Sequence, residues 1–349
     1  MTIAILINSL VGGGSERFAA LLANGLSDRG YAVSLLTGPR QPEEFELNEK
    51  VNRVELFSHQ SFPVSSILLH RYLNSQAIDV CIAIGIQANL TAALANFMLK
   101  TRIVLCERNA PKEDHLSWKS KLLRKLLYRQ GDAFVFQTPD AQAFYNQTIQ
   151  RGGVVIPNPV KEGLPRRSDS VRKEIVAVGR LRPQKNYPLL LTAFSKVHQQ
   201  HPDYQLRIFG RGNCLAELQT LTQTLHLQDA VTFEGFRPDV HPAISGSDIF
   251  VLSSDFEGMP NALMEAMAMG FPVVSTDCPC GGPRMLITDR ENGLLTKVGD
   301  AADLVRALNL LIEDPVLKEQ CAHQALRIKE TYALREILLK WETFLNRLV

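Results

Sequence analysis

Short, fully apolar segments alternate with helical patterns along almost the whole chain, and this alternation limits the possible folds more than any other feature. Strands that are apolar on both faces, with helices between them, are typical of parallel sheets covered on both sides. The predicted strands comprise residues 3–10, 32–36, 80–84, 103–105, 133–136, 154–156, 175–178, 206–209, 231–233, 249–252 and 273–275. The sequence therefore predicts an α/β protein with doubly wound parallel sheets.

One break in this alternation divides the chain. A polar stretch with proline and glycine, residues 161–170, follows Asn158 and Pro159 and is typical of a linker. Since 349 residues exceed what one hydrophobic core usually serves, two domains are expected. In doubly wound sheets ligands bind outside the carboxyl ends of the strands, so we expect two Rossmann-like domains facing a central cleft. The predicted boundaries are an N-terminal domain over 1–163, a C-terminal domain over 164–331, and a helix over 332–349 that returns to the first domain.

The composition is that of a globular enzyme and excludes several other classes. The chain is 45% hydrophobic and 21% charged, and its net charge of +2 is too small to indicate nucleic-acid binding. No stretch approaches the roughly 20 apolar residues that span a bilayer. The apolar N-terminus lacks a basic segment and a cleavage site, so no signal peptide is expected. Six cysteines without disulfide-framework spacing suit a reducing compartment, and we expect a cytoplasmic protein.

The most specific motif lies between the predicted strand 249–252 and a helix predicted to begin near Pro260. Glu257 falls on the loop at the carboxyl end of the strand, and Glu265 lies eight residues later, within the helix. Backbone amides at a helix start suit an anion, so the two carboxylates could hold sugar hydroxyls and a ribose with phosphates between them. The amides concerned are those of Met259, Asn261 and Ala262. The alternative is a surface glutamate and a helix glutamate without function.

Two cations occupy the loop that follows the predicted strand 175–178. Arg180 and Lys185 suit a diphosphate, because arginine binds phosphate oxygens with a bidentate fork and lysine acts as a point charge. The alternative is a solvated basic turn.

Two glycine turns are weaker signals. Gly12-Gly13-Gly14 precedes the first predicted helix but is neither a complete dinucleotide fingerprint nor a P-loop. Gly210-Arg211-Gly212 follows the strand 206–209 and is also an incomplete fingerprint. A dinucleotide-dependent oxidoreductase would use such turns, but the two glutamates would then be unexplained. A nicotinamide binding assay tests this interpretation.

In combination these motifs resemble the retaining glycosyltransferases of family four, which have the GT-B fold. The similarity covers essentially the whole chain and is strongest over residues 175–295. The strings 257–267 and 275–283 are similar to those of bacterial enzymes that transfer N-acetylhexosamine or hexose onto undecaprenyl-diphosphate-linked oligosaccharides. The matching segments include Gly179-Arg180, Lys185-Asn186, Gly210-Arg211-Gly212, Phe233-Glu234-Gly235-Phe236 and Glu257-Gly258-Met259-Pro260-Asn261.

The resemblance implies roles for the matched positions. Arg180 and Lys185 would hold the diphosphate of a nucleotide-sugar, Glu257 would contact the donor sugar, and Glu265 would contact the ribose. The loop with Gly13 and Gly14 would close over the donor phosphate and the acceptor. The donor site would be completed by Gly210, Phe236 at the base, Gly258, Met259, Asn261 and Ala262, with Glu257, Arg180 and Lys185 as its catalytic members.

One departure from the family concerns the first domain. Many relatives carry a histidine at the end of a strand near the reacting carbon, whereas this chain has Glu107-Arg108-Asn109 there. A histidine-assisted step is therefore in doubt, and Glu107 and Arg108 are candidates for the acceptor side. His115 is nearby but follows a proline-containing turn, and we interpret it as incidental.

We expect neither a metal nor a cofactor. Asp255-Phe256-Glu257 is similar to the acidic triplet that holds a metal-bound nucleotide in other transferases, but Arg180, Lys185 and a helix start already supply positive charge here. Cys278-Pro279-Cys280 lacks the second cysteine pair of a zinc site and is interpreted as loop structure.

A basic amphipathic segment is the remaining candidate. Residues 115–130 contain five cations and no acid, with leucines at 122, 123, 126 and 127 on one helical stripe. The simple interpretation is a helix packed by its leucines with solvated cations. The functional one is contact with anionic lipid or with the pyrophosphate of an acceptor. The candidate residues are Lys119, Lys121, Arg124 and Lys125, beside Arg129.

We therefore expect a retaining, metal-independent glycosyltransferase. It would move a hexose or N-acetylhexosamine from a UDP-sugar, bound by the second domain, to a lipid-linked or polysaccharide glycan, bound by the first. A peripheral position on the cytoplasmic face of the inner membrane follows from such an acceptor. The alternative within the same fold is a UDP-sugar epimerase, which would need acid and base groups at the sugar and no acceptor surface. The basic segment disfavours it.

Overall fold

The computed structural model describes residues 1–57, 61–108, 110–112 and 117–349. The chain divides into two compact units, of which the first comprises Met1–Pro159 and Arg335–Val349 and the second Val160–Leu334. The division falls a few residues before the predicted boundary at residue 163. No helix in the described ranges combines the length and the apolar character needed to cross a membrane.

Strands and helices alternate throughout. The strands are β1 (Thr2–Leu6), β2 (Ala32–Thr37), β3 (Asn52–Glu55), β4 (Val80–Ile84), β5 (Arg102–Glu107), β6 (Ala133–Phe136), β7 (Gly153–Val155), β8 (Arg172–Val178), β9 (Gln205–Phe209), β10 (Val231–Gly235), β11 (Ser247–Leu252), β12 (Val273–Thr276) and β13 (Leu294–Thr296). The helices are α1 (Gly14–Asp28), α2 (Phe62–Ser75), α3 (Ile86–Ala95), α4 (Trp118–Leu127), α5 (Pro139–Ala143), α6 (Gln147–Arg151), α7 (Tyr187–Gln200), α8 (Leu215–Thr224), α9 (His241–Ile244), α10 (Asn261–Met269), α11 (Gly282–Leu286), α12 (Ala301–Glu313), α13 (Pro315–Ala325), α14 (Ile328–Thr331) and α15 (Leu334–Leu345).

The first unit is built on a parallel sheet of seven strands in the order β3-β2-β1-β4-β5-β6-β7. Its central strands are buried on both faces, as the apolar runs predicted; Ile3, Ile5, Val80 and Ile82 are fully buried. The helix α15 belongs to this unit. The indole of Trp341 is fully buried, with its ring centroid 6.0 Å from that of Phe18 in α1.

The second unit contains a parallel sheet of six strands in the order β10-β9-β8-β11-β12-β13. The chain leaves β8 toward one edge of the sheet and, after β11, proceeds toward the other edge. The point of reversal lies between β8 and β11, which pair directly. In sheets of this kind the crevice for a ligand opens at the carboxyl ends of the two strands that flank the reversal.

The predicted fold class is confirmed, with two corrections to the predicted elements. The strands β3 and β13 were not predicted; both are edge strands, and β3, with sequence NRVE, is only partly buried. A half-exposed edge strand has no continuous apolar run, so hydrophobicity alone does not reveal it. The amphipathic pattern of residues 315–330 predicts one helix, whereas the structure has two, α13 and α14, separated by a turn near Leu326.

Candidate active site

The cationic turn and the acidic turn of the second unit lie side by side. The first follows β8 and the second follows β11, so both are at the carboxyl ends of the strands that flank the reversal. Backbone and side-chain hydrogen bonds join them. These run from Asp255 N to Gln184 O (2.9 Å), from Gln184 Nε2 to Phe256 O (2.8 Å), from Ser253 Oγ to Lys185 O (2.9 Å) and from Asn186 Nδ2 to Asp255 Oδ1 (2.6 Å). The two turns therefore form one structural unit.

Two residues with different predicted roles contact each other within this unit. The ammonium of Lys185 lies 2.5 Å from Oε1 of Glu257, and the hydroxyl of Ser254 donates to the same oxygen at 2.6 Å. The Lys185 and Glu257 side chains are only 15% and 9% exposed. Because the carboxylate is nearly buried, this ion pair compensates a charge that would otherwise be costly. Ser254 was not singled out in the sequence, although it lies three residues before Glu257.

Arg180 has a different environment from Lys185. It follows β8 directly, is exposed, and forms no side-chain hydrogen bond or ion pair within the described ranges. An exposed guanidinium at the carboxyl end of a central strand can bind a phosphate without first breaking an ion pair. Arg180 is thus the better placed of the two cations for a ligand from solvent.

The helix α10 begins at Asn261, close to the predicted start at Pro260. Its first turn contains Ala262 and follows Gly258 and Met259, so its positive end lies beside the acidic turn. Backbone approaches backbone here: a Cβ on Gly282 would lie 1.8 Å from the carbonyl oxygen of Gly258. Glycine at position 282 is therefore required for this loop to close against the turn.

Glu265 lies in the second turn of α10 and contacts a residue that the sequence did not indicate. Its Oε2 is 3.0 Å from Nε2 of His241, the first residue of α9. His241 is 5% exposed, and its Nδ1 is 3.1 Å from Asp239 Oδ1. A contact between residues 24 positions apart on different elements leaves no local pattern in the sequence.

Gly210 and Phe236 line the neighbouring strand ends. A Cβ on Gly210 would lie 1.8 Å from the carbonyl oxygen of Gly179, so glycine allows the ends of β8 and β9 to approach closely. The Phe236 ring is 51% exposed, and the guanidinium of Arg211 lies 4.7 Å from its centroid. An exposed aromatic face beside the site suits a planar ring such as a nucleobase.

The predicted acceptor residues of the first unit lie at the carboxyl end of β5. Glu107 is 5% exposed, and its Oε2 accepts hydrogen bonds from the hydroxyls of Tyr145 (2.5 Å) and Tyr128 (3.4 Å). Burial and the charge of Glu107 raise the pKa of both phenols. Glu107 is thus held inside the unit and is not exposed to solvent.

Arg108 is also buried. It donates to Asn158 Oδ1, and its guanidinium lies 3.7 Å from the centroid of the Phe18 ring. Burial lowers its pKa to about 10. Gly13 and Gly14 lie at the start of α1, as its N-cap and first residue. Asn109 and His115 are outside the described residues.

The basic segment forms the helix α4, but its faces differ from the prediction. Leu122, Leu123 and Leu126 are 48%, 41% and 53% exposed. Arg124 is the buried residue of the helix, 6% exposed; it donates to Pro111 O and lies 5.3 Å from the Phe144 ring. The expectation that Arg124 belongs to a solvent-facing cationic surface is therefore wrong. The side chains of Lys119, Lys121 and Lys125 are on the exposed surface.

The acidic triplet 255–257 forms hydrogen bonds within the protein and not a cluster of carboxylates, since Asp255 binds Asn186 and Glu257 binds Lys185. Across the ranges that the structure describes, no group of three or more His, Cys, Asp or Glu side chains could hold a metal ion. Burial raises the pKa of the Cys278 thiol to about 12, so this cysteine remains a thiol.

Two doubly wound α/β units within one chain are the architecture of the GT-B fold class. Residues 165–327 match the family model described as glycosyl transferases group 1, and residues 13–159 match a glycosyl transferase 4-like domain. Both models describe glycosyltransferases and together they cover most of the chain, which is a glycosyltransferase.

Individual proteins support the same assignment. An uncharacterized glycosyltransferase of Haemophilus influenzae is 28% identical, covering 95% of this chain and 96% of its own length. The N-acetylgalactosamine-N,N'-diacetylbacillosaminyl-diphospho-undecaprenol 4-alpha-N-acetylgalactosaminyltransferase of Campylobacter jejuni is 28% identical, covering 93% of each chain. The crystal structure of Anabaena HepE in complex with UDP superposes with a TM-score of 0.83 at 20% identity, covering 99% of this chain and 100% of that one.

Proposed function

We propose that this glycosyltransferase moves a hexose or N-acetylhexosamine from a UDP-sugar to a lipid-linked or polysaccharide glycan, with retention of configuration and without a metal. The observation that carries the proposal is the joining of the cationic and acidic turns at the reversal between β8 and β11. The similar Campylobacter enzyme is named for a diphospho-undecaprenol substrate, and the similar Anabaena structure contains UDP. These names support a UDP donor and a lipid-linked acceptor.

The positive groups of the site would act on the leaving diphosphate. Arg180 would bind phosphate oxygens from the exposed side, with Lys185 and the start of α10 opposite, and together they would stabilise the negative charge that develops as UDP departs. Such stabilisation allows the acceptor hydroxyl to attack from the face that UDP leaves, which retains the configuration. No divalent ion is needed if these three groups neutralise the phosphates.

Glu257 would orient the donor sugar rather than attack it. Its Oε1 already accepts from Lys185 and Ser254, which fixes the carboxylate in one orientation. Its Oε2 accepts no hydrogen bond within the described part of the chain, so that oxygen can accept one from a sugar hydroxyl. Glu265 would accept hydrogen bonds from the ribose.

A panel of UDP-sugars tests the reaction. We expect UDP release from one of them to depend on a lipid-linked glycan, and the product to have the same anomeric configuration as the donor by NMR. Glu257→Gln should abolish most of the turnover, whereas Glu217→Gln, at an exposed position of α8, should not. Interconversion of UDP-sugars without an acceptor would identify an epimerase instead, and inversion at the anomeric carbon would refute the retaining mechanism.

We also propose that α4 binds an anionic membrane surface through both its leucines and its lysines. Trp118 is 71% exposed, and three leucines of the same helix are about half exposed. Phe97 and Met98 are 76% and 83% exposed and lie next to the end of α4, because Asn96 Nδ2 donates to Gln130 O at 2.5 Å. Exposed apolar side chains beside lysines are typical of a helix that lies in the interface of a bilayer.

Vesicle sedimentation separates the contribution of the lysines to membrane binding from that of the leucines. Lys119, Lys121 and Lys125 changed together to Gln should weaken binding to anionic vesicles about a hundredfold, because each contributes about 1 kcal/mol. Leu122, Leu123 and Leu126 changed to Ser should remove the binding that persists at high salt. The matched control is Lys196, Lys297 and Lys329 changed to Gln, three exposed lysines of the second unit. Equal binding by all variants and the wild type would refute the membrane role.

A further inference from the structure

His241 is a buried histidine between two carboxylates and an ammonium. Its Nε2 is 3.0 Å from Glu265 Oε2, and its Nδ1 is 3.1 Å from Asp239 Oδ1 and 3.4 Å from Lys161 Nζ. The residue is 5% exposed, whereas the Asp239 side chain is 67% exposed. It begins α9, on the loop that follows β10 and carries Phe236.

The hydrogen-bond partners of His241 determine which of its ring nitrogens carries a hydrogen. An ionised carboxylate can only accept hydrogen bonds, so the Nε2 that faces Glu265 must carry a hydrogen. At Nδ1 there are two possibilities, because Asp239 requires a hydrogen on this nitrogen and Lys161 requires a lone pair. In both cases Nε2–H donates to Glu265 Oε2. The hydrogen bond to Glu265 is therefore maintained whichever partner Nδ1 uses.

We propose that His241 is a positioning residue of the donor site, fixing the Glu265 carboxylate so that the site selects nucleotides with an intact ribose. This inference rests on the proposed function, which assigns Glu265 to the ribose hydroxyls. Glu265 has three rotatable side-chain bonds, and a carboxylate already held in place loses less conformational freedom when a nucleotide binds. His241 thus acts through Glu265 and does not contact the reacting atoms.

Binding of UDP and of 2′-deoxy-UDP tests this role, since the second lacks one hydroxyl that Glu265 would bind. The wild type should bind UDP about ten- to a hundredfold more tightly, as expected for one hydrogen bond to a charged group. His241→Asn places its amide at the Nδ1 position and should lose the bond to Glu265. It should bind UDP about tenfold more weakly and 2′-deoxy-UDP with a smaller loss, so that the preference for UDP shrinks.

Two further variants distinguish positioning from a merely structural role. His241→Gln places its amide nitrogen at the Nε2 position and should retain the preference for UDP. The double variant His241→Asn/Glu265→Gln should bind UDP no more weakly than Glu265→Gln alone, because both changes remove the same interaction. Asp239→Asn is the matched control at the exposed partner and should leave the preference unchanged.

The outcomes separate the two proposals. Failure of the wild type to bind UDP would overturn the donor assignment together with the role of His241. If the wild type prefers UDP but His241→Asn weakens both nucleotides equally, the donor assignment stands and the positioning role is wrong. If His241→Asn does not fold, His241→Gln provides the test instead. A folded His241→Gln protein that does not prefer UDP over 2′-deoxy-UDP would overturn the positioning role.

Discussion

Replacing Lys185 by methionine should destabilise the second unit far more than its position on a loop suggests. The substitution preserves most of the side-chain volume but removes the ammonium that lies 2.5 Å from Glu257. The Glu257 side chain is 9% exposed and would retain one hydrogen-bond donor, Ser254. Removing one partner of a buried ion pair typically costs about 3–5 kcal/mol, and the remaining donor places this case near the lower figure.

Replacing the other member of the ion pair, Glu257, should reduce the free energy of unfolding by less. Glu257→Gln leaves an ammonium that is already 15% exposed on a flexible chain, and such a side chain can turn toward water. We expect a loss of about 1 kcal/mol for Glu257→Gln. The double variant should be more stable than Lys185→Met alone, because no buried charge is then left without a partner.

Urea unfolding followed by far-ultraviolet circular dichroism measures these differences. Lys297→Met is the matched control, since Lys297 is an exposed lysine of the same unit. Both tryptophans, Trp118 and Trp341, belong to the first unit, so their fluorescence follows that unit alone. If Lys185→Met is no less stable than Lys297→Met, or if the double variant is less stable than both single ones, the ion pair does not compensate a buried charge.

Three further outcomes are expected. Glu257→Gln should reduce turnover more than UDP affinity, and Glu265→Gln should reduce UDP affinity; equal losses of UDP binding would refute the division of roles. Turnover should persist in EDTA, and recovery of activity only with an added divalent ion would contradict metal independence. Burial raises the pKa of Cys81, Cys106 and Cys278 to about 12, so these thiols stay protonated at about pH 8. At that pH a thiolate reagent should rapidly modify one thiol, that of the partly exposed Cys214. Rapid modification of several thiols would contradict the burial of the others.

The central strands could be predicted because their burial leaves a direct signal. A strand such as β4, covered on both faces, has an unbroken apolar run. The edge strand β3 lacks this run, and the edge strand β13 has only three residues, although each pairs with the strand that precedes it in the chain. The sheet order, which locates the reversal between β8 and β11, follows from tertiary contacts.

The sequence predicted which site residues lie at strand ends, but it did not predict which of their side chains contact one another. Arg180 and Glu257 follow β8 and β11, so parallel topology alone places both at the same edge of the sheet. The pairing of Lys185 with Glu257 and of His241 with Glu265 depends on how loops fold over the sheet. Local periodicity contains no information on such contacts.

The helix α4 shows a different limit. Its pattern predicts an apolar stripe and a cationic face, but the pattern does not determine which face meets the protein. In the structure Arg124 lies between Pro111 and aromatic rings, and three of the four leucines are about half exposed. A stripe at helical spacing therefore predicts amphipathicity and not the side that is buried.

Calorimetric titration with UDP tests the central claim, a donor site at the reversal of the second sheet, most directly. The wild type should bind UDP, and Arg180→Ala should weaken binding about tenfold or more, because a charged hydrogen bond to the diphosphate is lost. Arg182→Ala removes an exposed arginine two residues away and should bind as the wild type does. Absence of UDP binding by the wild type, or equal affinity in the Arg180→Ala and Arg182→Ala proteins, would contradict the assignment.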